Sequence, residues 1–169
     1  FSASALKAAG CSVAELKKSK YSIAEMKSAG YAISELRAGG YSAAELMKAG
    51  VALADLKSGG YSAAELQSAG VSSAQLRGAG FAVADVVGLY SAADLKKEGF
   101  SAAELKSKHS EVELKNAGYS ASDMRGAGYK ASDLRLAGYS IKDLKAAGYS
   151  NAEMQASGFS ASELKAAGF

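Results

Sequence analysis

The chain has 169 residues with Gly 19, Pro 0, Trp 0 and one cysteine, and 20 Lys and Arg against 17 Asp and Glu give a formal net charge of +3. So even a charge balance does not by itself call for a polyanion partner. The lone Cys11 excludes an internal disulfide, and with the lone His109 it excludes a Cys/His zinc cluster.

Composition this uneven points to repetition, and a ten-residue period runs through the whole chain. Aligned on the aromatic residue, the repeats start at Phe1, Cys11, Tyr21, Tyr31, Tyr41, Val51, Tyr61, Val71, Phe81, Tyr90, Phe100, His109, Tyr119, Tyr129, Tyr139, Tyr149 and Phe159. Every Tyr and Phe falls on this first position, with Phe169 beginning a further repeat. The repeats at 81–89 and 100–108 are one residue short, and each returns to register. Residues 1–169 are therefore read as a single array of about seventeen repeats.

Each repeat opens with a helix start. Position two is Ser in most repeats and position five is Asp or Glu in all but two, where Ala5 and Gln75 stand. Ser-x-x-Glu is a capping box: the hydroxyl accepts from the backbone N–H three residues on, and the carboxylate accepts from the Ser N–H. Position six is Leu, Met or Val throughout, so the aromatic before the cap and this residue form a hydrophobic staple, as in Tyr41 with Leu46. Position ten is Gly in most repeats and closes the helix in the left-handed conformation, after which the next aromatic packs back on the last turn.

The helix between these signals is expected to be about seven residues long, and isolated helices shorter than about 12–15 residues are marginal. Stability must then come from stacking, as in solenoids. Positions three, six and nine share a face, which fits Val13, Ile23, Ile33, Leu53, Val83 and Ile141 at position three as core. Position four is Ala or Ser except at Val112 and Lys142, which predicts a second neighbour approaching closely there. The fold class that follows is an all-α solenoid of two-turn helices joined by Gly-aromatic turns.

Split into fives, the repeat becomes A-E-L-K-A followed by A-G-Y-S-A, with a small residue two before a central Leu or Phe, as at Ala64, Leu66, Ala69 and Phe100. In this it resembles the pentapeptide-repeat family, and the resemblance implies the alternative fold, a right-handed quadrilateral β-helix. Against that alternative stand the strict alternation of the two halves and nine Tyr hydroxyls that would need partners inside a narrow coil. Helix-forming Ala, Leu, Lys and Glu, and the capping signals, favour the helical solenoid.

Few residues invite chemistry. Cys11 and His109 sit at the aromatic position and read as a small apolar substitute and a tolerated planar ring. The carboxylates recur with the cap, whereas acid–base catalysis needs unlike environments that push pKa values apart. Gly39-Gly40 and Gly59-Gly60 lack the Lys-Ser/Thr continuation of a phosphate loop and read as helix ends. No catalytic, cofactor or metal site is expected, and the chain is not expected to be an enzyme.

Position seven is basic in most repeats, and stacking would align Lys17, Lys27, Arg37, Lys57, Arg77, Lys96, Lys106, Arg125, Arg135 and Lys145 into a candidate basic stripe. A protein or polyanion partner could read that stripe, with nucleic acid the weaker reading because a carboxylate lies two residues from nearly every base. The leading expectation is a non-catalytic structural array, part of a longer solenoid or stacking end to end between copies, since the outer repeats match the inner ones instead of carrying altered polar caps. No apolar run is long enough to span a membrane.

Overall fold

The structure, a computed structural model, describes residues 1–169. It contains seventeen short α-helices in tandem and no strand, from Ala3–Ala8 to Ala161–Ala166. The helical solenoid is thus the fold, and the β-helix alternative is set aside. The helices are six residues long, one fewer than expected, with four-residue helices at Val83–Val86 and Ala102–Leu105 in the two short repeats.

The local signals act as their chemistry dictates. In the repeat starting at Cys11, Ser12 accepts from the Glu15 N–H at 3.4 Å and the Glu15 carboxylate accepts from the Ser12 N–H at 2.7 Å. At the C-terminal end of the preceding helix Gly10 donates to the Lys7 carbonyl and Cys11 to the Leu6 carbonyl, both at 2.9 Å. These two bonds make a complete Schellman motif, and the same pair recurs in the ten-residue repeats along the chain. It requires a positive φ at position ten, which Gly supplies.

The short repeats show what has been left out. After Ala102–Leu105 both Lys108 and His109 donate to the Leu105 carbonyl, and no residue there takes a positive φ. The deleted residue is therefore the left-handed one, and the turn closes without a Schellman motif.

By contacts the chain forms two compact bodies, Phe1–Val86 and Val87–Phe169. In each, a helix packs on the helix two repeats away, and consecutive helices touch as well, such as Ala63–Ser68 with Ser73–Gly78 and Asn151–Ala156 with Ala161–Ala166. In the first body Ala3–Ala8 packs on Ile23–Ser28 and Val13–Lys18 on Ile33–Ala38; in the second, Ala121–Gly126 packs on Ile141–Ala146. Position six is the centre of this packing, and from Leu16 to Leu164 it is at most 2% exposed. Burying one such side chain contributes about 1.5–3 kcal/mol.

Position four departs from expectation. It is exposed in every repeat except at Ala44 and Ser132, which are half-buried, so no second neighbour packs there. The close approach is at position nine instead. A Cβ on Gly39 would stand 2.3 Å from a Val13 methyl, and one on Gly59 would stand 2.4 Å from an Ile33 methyl.

One repeat lacks its glycine. Lys20 holds position ten with φ +64°, the sole positive φ outside glycine, and a side chain in that region costs about 1–2 kcal/mol. Lys20→Gly is expected to stabilise the chain by about 1 kcal/mol, and Gly30→Ala to destabilise it by a similar amount. Urea denaturation followed at 222 nm checks both signs.

Candidate functional site

The row of position-seven bases is the surface that the sequence singled out, and its geometry follows from the two-repeat stacking. A base at the last turn of one helix lies beside the C-terminal end of the helix two repeats on. Lys17 donates to the Gly40 carbonyl at 2.6 Å, its ammonium lies 4.0 Å from the centre of the Tyr41 ring, and it pairs with Glu45 at 3.4 Å. Three partners at spacings of 23, 24 and 28 residues thus hold one cation.

The pattern recurs. Arg37 lies over Tyr61 and pairs with Glu65 at 3.3 Å; Lys57 donates to the Gly80 carbonyl and lies over Phe81. In the second body Lys96 and Lys106 cover Tyr119 and Tyr129 and donate to the Gly118 and Gly128 carbonyls. Arg125, Arg135 and Lys145 cover Tyr149, Phe159 and Phe169 and donate to the carbonyls of Ala147, Ser157 and Gly168. Arg77 is engaged as well. Lys7 and Lys115, absent from the sequence-derived stripe, behave identically over Tyr31 and Tyr139.

A positive charge at a helix C-terminus meets the negative end of the dipole, and a cation over a ring adds about 0.5–1 kcal/mol at an exposed site. Lys27 is the departure. Twenty-four residues on stands Val51, so there is no ring to cover. Where Val71 replaces a ring, the corresponding position seven is the uncharged Met47.

Beneath the cations the rings form a second ladder. Seven Tyr hydroxyls donate to the carbonyl of position one, two repeats earlier, among them Tyr31 to Cys11 at 2.6 Å, Tyr139 to Tyr119 at 2.6 Å and Tyr149 to Tyr129 at 2.5 Å. Burial, reinforced by the charges of Asp123 and Asp143, pushes the Tyr139 phenol up to about 12. Tyr129 breaks the ladder: its hydroxyl is buried without a partner. Its acceptor would be the His109 carbonyl, and His109 follows the shortened turn, so that carbonyl is out of place. His109 itself reaches back with Nε2 to the Val87 carbonyl at 2.9 Å.

Cys11 is half-buried and free. Many capping carboxylates share one setting: hydrogen bonds from Ser and from its backbone N–H hold Glu15, Glu25, Glu45, Glu65, Glu153 and Glu163 below the usual carboxylate range. No three His, Cys, Asp or Glu side chains are grouped to hold a metal ion, and no helix is long and apolar enough to cross a membrane.

Known proteins give one match. The family model described as a decapeptide repeat region matches residues 1–73, 30–89, 50–112 and 108–169. No curated protein and no solved structure matches the chain.

The ladder separates two substitutions that look alike. Tyr139→Phe is expected to cost about 1 kcal/mol, whereas Tyr129→Phe removes an unpaired buried hydroxyl and is expected to be neutral or stabilising. Thermal denaturation of the two variants distinguishes them. The carboxylates predict a pH dependence. Their folded pKa values lie below the unfolded ones, near 4.3 for Glu and 3.9 for Asp, so their stabilisation is present above those values and is lost as pH falls through the folded pKa. Melting temperature is expected to be level near neutrality and to drop below about pH 5. A Tm unchanged down to pH 3 would contradict the capping role.

Proposed function

The chain belongs to the decapeptide repeat family along its whole length, and from that premise we propose that its function is structural: a non-catalytic array that grows by stacking repeat on repeat, along a longer chain or from one copy to the next. The observation that carries this reading is the reach of each repeat beyond itself. Cations go forward to a helix end two repeats on and a ring three repeats on, and hydroxyls go back two repeats. Wherever such an array stops, it presents unfilled partners for another array with the same period.

Such a contact joins unlike surfaces, head to tail, and propagates when its rotation does not close. The recurrence of one capping setting for many of the carboxylates supports a non-catalytic role, because a reaction centre requires groups made unlike by their surroundings.

A second reading, a binding scaffold, is favoured by one observation. Grooves of 420–780 Å³ recur between helices two repeats apart, each lined by a Tyr, a Glu or Asp and small residues. A polyanion drawn to the basic row would have to compete with carbonyl, ring and carboxylate for each cation. Binding of that kind would weaken steeply with added salt.

Sedimentation velocity over a hundredfold range of concentration, with electron microscopy of the concentrated sample, tests the structural reading. Mass that rises with concentration and linear particles of uniform width are expected. A strict monomer at the highest concentration would count against stacking between copies.

A further inference from the structure

One groove differs from the others. Besides Phe1, the exposed large apolar side chains are Val112, 49% exposed, and Leu136, 86% exposed. They hold position four of one repeat and position eight of the repeat two further on. Those two positions face each other across each groove of the array: Ala14 and Ala38, Ala44 and Ser68, Ala103 and Gly126, and Ser132 and Ala156 all line one. Single exposed apolar residues are ordinary. By the same register Val112 and Leu136 come to one groove, between Glu111–Asn116 and Ala131–Leu136, and where the other lined pairs are small these two make a local apolar surface.

The same groove departs in two further ways. Position three, elsewhere uncharged, is Glu111, half-buried and without an ion pair. The ring that stands where Tyr31, Tyr61, Tyr119 and Tyr149 wall the other grooves is Tyr129, whose buried hydroxyl has no partner. The charges of Glu111 and Asp133 both act on that hydroxyl. Asp133 already accepts from the Lys130 N–H and the Ser132 hydroxyl, and Lys106 gives its donors to the Ala127 and Gly128 carbonyls. Glu111, in the first turn of its helix, is left as the carboxylate at this groove with neither a capping role nor an ion pair.

We propose that the groove between Glu111–Asn116 and Ala131–Leu136 binds a short segment of a partner protein that carries an aliphatic side chain next to a basic one. The aliphatic group covers Val112 and Leu136, and the ammonium or guanidinium pairs with Glu111. An acidic segment is rejected by the same carboxylate. This site is independent of whether arrays stack end to end, because it lies on the flank of one body.

The test is a titration of the ¹⁵N-labelled full chain with the peptide acetyl-Ala-Leu-Lys-Ala-amide, followed by amide shifts. Saturable shifts confined to 109–113 and 129–137 are expected. Binding is expected to weaken at least tenfold in Leu136→Ser and in Glu111→Gln, and at least tenfold when Glu replaces Lys in the peptide. Leu136 is exposed, so its exchange leaves the fold intact, which the 222 nm signal verifies. No saturable shift, equal binding by Leu136→Ser, equal binding of the Glu peptide, or shifts spread alike over the other grooves would each overturn the proposal. Shifts that grow with protein concentration alone, and vanish in Leu136→Ser, would assign the groove to a second copy and overturn it too.

Discussion

Helices of six residues lie far below the length of about 12–15 residues at which a helix holds by itself, and everything else in this chain answers that deficit. Each helix is closed at both ends by its own residues, so few backbone groups are left for a neighbour to satisfy. What remains is one large apolar side chain at position six, and it can be hidden only by helices above and below. Stacking at a spacing of two repeats buries position six, with the aromatic of the next repeat tied back to the preceding helix by the Schellman turn. The cation, the ring and the hydroxyl then join helices that the apolar column has already brought together.

What could be read from the sequence was what acts locally. The capping box, the staple and the terminal Gly are interactions across three to five residues, and their residue types announce them wherever they occur. The pairing distance was not legible from the period, because a strict ten-residue repeat looks the same whether a helix meets its first or its second neighbour. The exceptions held the missing signal. Met47 stands in for a base where Val71 stands in for a ring, and Val87 does so where His109 does, both of which mark a partner about 24 residues ahead. Read without those exceptions, the bases form a stripe facing solvent; read with them, they belong to the rings.

Small residues at position four suggested a close neighbour, yet they border an open groove, and smallness there leaves space unfilled. Position nine shares the core face with positions three and six, as its spacing predicts, and there Val13 and Ile33 occupy the space a Cβ on Gly39 or Gly59 would need. Residue size reports that something is constrained without saying from which side. The shortened repeats were visible as counts, while their consequence, the displaced His109 carbonyl and the unpaired Tyr129 hydroxyl, depends on a turn geometry that length alone does not define.

The central claim is that no repeat is stable without the repeats two away. It is tested most directly by circular dichroism of peptides of one, two, four and six repeats taken from residues 11–70. Helical signal per residue is predicted to be nearly absent for one and two repeats, to appear at four, where two stacked pairs first exist, and to rise again at six. A signal per residue that is the same at every length would show that the helices stand by local capping alone, and would contradict the account.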